Sequence, residues 1–271
     1  MTEQNHSRKR KSNQNKWKLL SILAGLACLG CIVIVAGQAL KKNQLESVYE
    51  SVRQTETNAT VPAASEADTS ESVMEETEPV EIPIDFAALQ EMSPDIYAWI
   101  EIPGTNIAYP IVQKDDDNTF YVRRSPDGES FTGGSIFTEN YNSKDFTDPN
   151  TLIYGHCMRN GTMFAELHNY SDPEFFKEYN TVIIYTPAQK LTYQVVAAYP
   201  FDDRHLLKAF DFTDEESFRA FFDEAFSVRD MKAQFDQEAK PEPGDKVITL
   251  STCMQSDNSR RFLVQAVLQN P

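Results

Sequence analysis

From about Ile82 to its end, the chain is cut into short β-prone runs, and that segmentation limits the fold more than any other feature. The runs are Ile107–Val112, Ser135–Phe137, Thr151–Tyr154, Thr181–Tyr185, Leu191–Tyr199, Lys246–Leu250 and Arg261–Leu268. Turn-forming pieces such as SPDG, TGGS, DPN and EPGD separate many of them. Short strands in this number close into a barrel or stack as a sandwich. Roughly 190 residues are enough for one sizeable core.

Helical signals open this region and interrupt it once. Phe86, Leu89 and Met92 recur at every third position. Ser93-Pro94 then reads as an N-cap followed by proline at the first helical position, which predicts a second short helix. A longer helix is expected inside an insertion from about Asp202 to Asp245. Thr213 and Glu216 form a T-x-x-E capping box. Phe218, Phe221, Phe222, Ala225 and Phe226 then fall on one helical face, a stripe that serves core packing.

The sequence upstream is of another kind. The whole chain carries a formal charge of -16, too acidic for nucleic acid to be its main partner. Within that balance, residues 1–42 hold eight Lys/Arg and one acid, Glu3. Leu19 to Leu40 is a run of 22 residues without a charge, and a bilayer core of about 30 Å needs roughly 20 helical residues. Six basic residues precede the run and two follow it, which places the N-terminus inside. The alternative is a cleaved signal peptide, whose apolar region is shorter, about 7–15 residues. Residues 43–81 contain ten acids, one arginine and one aromatic, too little apolar surface to fold. The expected organisation is a basic cytoplasmic tail over 1–18, a transmembrane helix over 19–40, an acidic flexible stalk over 41–81 and an extracellular folded domain over 82–271. The cell membrane is thus an expected partner, with the chain crossing it once.

Cysteine usage narrows the chemistry. Cys28 and Cys31 lie in the charge-free run, where they read as two small apolar residues. The exported part has only Cys157 and Cys253, which is no disulfide framework. Cys253 ends the strand-like run KVITLSTC, and a strand end holds a nucleophile rigidly. A turn after it would bring Arg260 or Arg261 back beside the cysteine, where a cation stabilises a developing oxyanion. Of four histidines, His6 falls on the cytoplasmic side, and His168 and His205 read as surface or packing residues. His156 ends the run TLIYGH next to Gly155 and is the candidate base. No metal is expected, because four-ligand spacing is absent. Taken alone, Cys253 reads more readily as a buried core residue than as a nucleophile, and a structural histidine is a serious alternative for His156.

YGHC around His156, TLSTC ending at Cys253 and RRFLV at Arg260–Val264 together resemble the sortase signature. The resemblance extends over IDFAALQEMSPDIYAWIEIPGTNIAYPIVQ, DNTFYV, GGSIF, the helical insertion and the final strands, from about 82 to 269, and is to class B sortases. The order His, Cys, Arg also speaks against papain-like peptidases, in which the cysteine comes first. The resemblance implies a mainly β fold, a closed eight-stranded barrel with N-terminal helices and a long helix inserted between the sixth and seventh strands. It implies Cys253 as nucleophile, His156 as acid/base, Arg261 as the essential arginine, and Asn118, Tyr154 and Ser251 lining a peptide groove. It further implies a transpeptidase without cofactor. Its partners would be secreted proteins bearing a C-terminal sorting signal, and an amine from a cell-wall cross-bridge or a pilin lysine. Two other readings stand beside it, a tethered cysteine peptidase releasing product to water and a non-catalytic surface binding module. Cys157 reads as an inert small hydrophobe or as an oxidation partner of Cys253. Met254 offers no carboxylate beside the nucleophile.

Overall fold

A computed structural model describes residues 82–255 and 257–270. Nine strands run in chain order: β1 (Ile96–Glu101), β2 (Ala108–Val112), β3 (Ile136–Thr138), β4 (Asn150–Tyr154), β5 (Thr181–Tyr185), β6 (Lys190–Phe201), β7 (Gln234–Phe235), β8 (Val247–Met254) and β9 (Asp257–Leu268). Eight of them follow one another around the sheet as β5-β1-β2-β3-β4-β8-β9-β6, and pairing of β5 with β6 closes the circle. This is the expected closed eight-stranded barrel, which leaves no unprotected sheet edge among these strands. The two-residue β7 adds to β6 from outside the circle. Neighbours are antiparallel except for β2 with β3 and β4 with β8.

Helix α1 (Phe86–Met92) matches the three-residue spacing and buries Phe86 and Leu89. The second helix expected at Ser93-Pro94 does not form. Ser93 instead ends α1 in an extended conformation (φ -154°, ψ 121°), as a residue before proline prefers. Pro94 leads into β1. That strand escaped the sequence reading because it is buried on both faces, from Ile96 through Ile100, between β2 and β5. A strand covered on both sides shows no apolar–polar alternation.

The insertion between β6 and β8 carries α3 (Leu206–Ala209) and α4 (Glu215–Phe226), after a short α2 (Pro173–Glu178) earlier in the chain. The N-cap of α4 is Asp214, whose carboxylate accepts from Ser217 N–H, rather than Thr213. The Thr213 hydroxyl is taken by Asp211 Oδ1 at 2.6 Å, so the neighbouring acid assumes the cap. The apolar stripe of α4 packs Phe218 and Phe221 against Phe201, Phe210 and Phe212, with ring centroids 4.8–6.3 Å apart. Each fully buried phenylalanine stabilises by about 1.5–3 kcal/mol. This cluster fastens the insertion to the barrel beside the end of β6.

On the barrel face that the insertion covers, a chain of buried polar side chains pins the register of four strands. Thr249 Oγ1 donates to Asn150 Oδ1 (2.8 Å), Gln265 Nε2 donates to Thr249 Oγ1 (3.2 Å), and Tyr199 OH donates to Gln265 Oε1 (3.2 Å). A slip of β4, β8, β9 or β6 would leave these groups buried and unpaired, which costs about 1–3 kcal/mol each. The β8 register fixed in this way is the one that delivers Cys253.

The localisation expected from the sequence is corrected at this point. Among the described residues, no helix is long and apolar enough to cross a membrane. The longest of them, the 12-residue α4, turns its apolar face to the aromatic cluster. No single-pass anchor is therefore shown, and the inside-to-outside topology lacks structural support. The run Leu19–Leu40, the basic tail and the acidic stalk lie outside the described residues.

Candidate active site

The strands β8 and β9 are antiparallel neighbours, and their register sets Cys253 directly opposite Arg261. Cross-strand side chains in such pairs stand about 4.5–5.5 Å apart at Cβ. The register then jumps, since Met254 pairs with Asp257, and the extra residues lie on β9 between Asp257 and Arg261. An irregularity of this kind re-aims the side chains beside it. Both residues are partly exposed, and Arg261 lies within β9 rather than at its start.

His156 arrives from the other flank of β8. Parallel pairing sets Tyr154 opposite Ser251, and Gly155 N–H donates to Ser251 O (3.1 Å), extending the ladder by one step. The His156 carbonyl then accepts from Phe164 N–H (2.9 Å), and its ring Nε2 stands 2.7 Å from Val122 O. A carbonyl can only accept, so Nε2 carries the proton and Nδ1 is the ring's second nitrogen. Two glycines make this seat possible. Gly134 has φ +59°, and a Cβ there would lie 2.5 Å from Val122 O, the group that receives the imidazole. A Cβ on Gly155 would lie 2.5 Å from the Phe164 ring and 2.6 Å from Ile136 Cδ1. Gly155→Ala is accordingly expected to destabilise the fold by about 1–3 kcal/mol through overpacking, read as a lower urea midpoint at unchanged slope.

One cavity of about 290 Å³ is lined by all six residues singled out from the sequence: His156, Cys253, Arg261, Asn118, Tyr154 and Ser251. Asn118 is held by a reciprocal pair, donating to Asn140 Oδ1 (2.9 Å) and accepting from Asn140 N–H (2.8 Å). Tyr154 OH donates to Glu139 Oε2 (3.1 Å), and burial, then that carboxylate, pushes the phenol well above its ordinary range. Ser251 is buried. Sequence reasoning missed three further groups on these walls. Thr252, next to the cysteine, has a buried hydroxyl with no hydrogen-bond partner among the described residues. Glu139 Oε2 and His205 Nε2 approach to 2.7 Å across the groove without hydrogen-bond alignment. His205 comes from the insertion, so that segment forms one wall of the groove. A larger cavity of about 540 Å³ lies beyond α3, between Tyr141, Asp148 and Phe212, and contains none of the six.

Among the described residues no cluster of three or more His, Cys, Asp or Glu side chains could hold a metal ion. Cys157 and Cys253 are both free thiols. Burial, and next the nearby Cys253, push the Cys157 thiol up. A thiol kept protonated at neutral pH reacts slowly. In a Cys253→Ala protein, iodoacetamide is therefore expected to label Cys157 more slowly than a cysteine in an unfolded peptide at pH 7.5, with the gap closing as pH rises. Mass spectrometry of the labelled protein measures both rates.

A family model described as "Sortase domain" matches residues 100–269. The chain belongs to the sortase family. Sortase B of Listeria monocytogenes is 30% identical over 165 residues, which is 61% of this chain and 65% of that protein. The chain thus spans a little under two thirds of that relative. Sortase B of Staphylococcus aureus is 28% identical over 183 residues, 67% of this chain and 73% of that one. The crystal structure of Clostridium perfringens sortase B superposes with a TM-score of 0.61 at 28% identity, covering 69% of this chain and all of that one. A Bacillus anthracis sortase B in complex with AAEK1 gives 0.65 at 27% identity, covering 86% and 99%. These relatives place the chain in class B of the sortases, as the motifs around His156, Cys253 and Arg261 imply.

Proposed function

We propose that this sortase is a cysteine transpeptidase acting on secreted proteins that carry a C-terminal sorting signal. The observation that carries the reading is the shared groove in which Cys253 and Arg261 stand opposite each other, with His156 on the adjoining wall. A neighbouring structure, the Staphylococcus aureus sortase B–substrate complex, supports a substrate partner, at a TM-score of 0.60 and 27% identity.

The attacking form of a thiol is the thiolate. Its sulfur bonds to a backbone carbonyl carbon of the signal, and negative charge develops on the carbonyl oxygen. The Arg261 guanidinium is permanently charged and stabilises that oxyanion. As the C–N bond breaks, His156 as imidazolium gives its proton to the leaving amine. A thioacyl enzyme remains. An incoming amine attacks it, passes a proton back to His156, and the C–S bond breaks to release an amide-linked product and the thiolate. Asn118, Tyr154 and Ser251 bind the peptide along the groove. The acceptor is an amine of a cell-wall cross-bridge or a pilin lysine.

The test incubates the purified protein with peptides of the NPxTN and LPxTG types, with and without a short amine-bearing peptide. The expected results are a thioester mass on the Cys253 peptide and an amide product that requires the amine. Hydrolysed product alone, insensitive to amine, would make the protein a peptidase. No Cys253 adduct with any peptide would end the enzymatic reading.

A further inference from the structure

His168 reads from sequence as a packing residue, and the groove does not include it. Its position is more specific than that. It sits on a 3₁₀ segment, Ala165–Ser171, pinned by the fully buried Leu167 and Tyr170 on either side. Tyr170 OH donates to Tyr179 O (2.7 Å), and Ser171 Oγ donates to His168 O (2.8 Å), so the segment is anchored at both ring and backbone. From this platform the His168 imidazole lies against the buried Phe262 ring, with centroids 4.8 Å apart and an angle of 34°. Its Nε2 stands 3.0 Å from the carbonyl oxygen of Cys253. Because that partner can only accept, Nε2 is the protonated nitrogen. Burial also holds the imidazole below its ordinary range, which keeps the ring neutral at neutral pH.

The carbonyl in question is where the β8–β9 register shifts, between Cys253 and Met254, opposite the extra residues of β9. A peptide plane there is less constrained by the ladder than one in regular sheet. We propose that His168 is a positioning residue for the nucleophile: its Nε2–H holds the Cys253 carbonyl at the register shift and thereby sets the direction in which the sulfur enters the groove. His168 touches neither substrate nor the reacting atoms. It acts from behind β8, across a sequence distance of 85 residues. The inference rests on the reading of Cys253 as nucleophile.

Three substitutions separate the donor from the ring. Glutamine can place an amide N–H where Nε2 stands, asparagine is too short, and leucine fills space without a donor. Single-turnover thioacylation of a reactive sorting peptide is expected to slow about tenfold or more in His168→Asn and His168→Leu, and to stay within about threefold of the parent in His168→Gln. The peptide KM should be unchanged in all three, since the groove walls are untouched. Circular dichroism and unfolding midpoints of each variant verify that the barrel is intact. Equal slowing in all three would make ring packing on Phe262 responsible and overturn the donor role. An unchanged rate in His168→Leu, or in His168→Asn should the leucine protein not fold, would overturn it as well. A parent protein that forms no thioester ends the nucleophile reading itself, whereas a reactive parent with indifferent variants ends only this inference.

Discussion

Replacing Cys253 with alanine is expected to reduce thioester formation and amide transfer by at least about a thousandfold, the scale on which loss of a covalent nucleophile is felt. The fold has little reason to change. Cys253 is partly exposed in the groove, and the buried Leu250, Phe262 and Val264 that hold this part of the β8–β9 pair stay in place. Unfolding should therefore begin at nearly the parent's temperature, and peptide binding should persist, because Asn118, Tyr154 and Ser251 are unaltered. Thioester mass, amide product and a peptide-binding titration on one preparation measure the three quantities. Retained transfer activity in the alanine protein would remove the covalent mechanism altogether.

His156→Gln is expected to lower the rate of both acylation and amine transfer by about 10²–10⁴-fold, the range associated with a positioned acid–base group. Glutamine is the informative choice because its side-chain amide can still donate to Val122 O. The seat between Gly134, Gly155 and Phe164 is then kept while the titratable proton is lost. A rate that falls while the structure holds assigns proton transfer to the imidazole. A parent-like rate would reduce His156 to a strut between β4 and the 3₁₀ turn at Phe120–Arg123. Single-turnover acylation and amine-transfer rates, with an unfolding midpoint for each protein, measure the two outcomes.

Particular residues explain what could be read before any coordinates. The strands β4, β5, β6, β8 and β9 announced themselves as β-branched or aromatic runs between turns, within a few residues of their observed ends. The stripe of α4 was plain because four phenylalanines at helical spacing admit one face only. The strand β1 was not plain, because Ile96–Ile100 meets neighbours on both sides and loses its alternation. Ser93-Pro94 carried a genuine helix-start signal that the closure of the barrel overrode. At the candidate site, Cys253, His156 and Arg261 were legible as strand-end chemistry and as motif. Glu139, His205 and His168 were not. Their roles depend on which distant strand or segment each one faces, and separations such as the 85 residues between His168 and Cys253 leave no local trace. The N-cap of α4 shows the same limit at short range, since Thr213 and Asp214 are both good caps and the choice falls to which one Asp211 engages.

The parallel pairing of β4 with β8 has a consequence for when this chain becomes active. Strands side by side and pointing the same way need a long crossover, and here Asn150 and Thr249 are 99 positions apart. Contacts of such separation are slow to form, because the closure entropy comes before any gain. The final strand, β9, must also slot between β8 and β6, and it brings Arg261 with it. No fragment that stops short of β9 can assemble the histidine, cysteine and arginine. Assembly of these three side chains during synthesis thus waits for β9 to dock between β8 and β6.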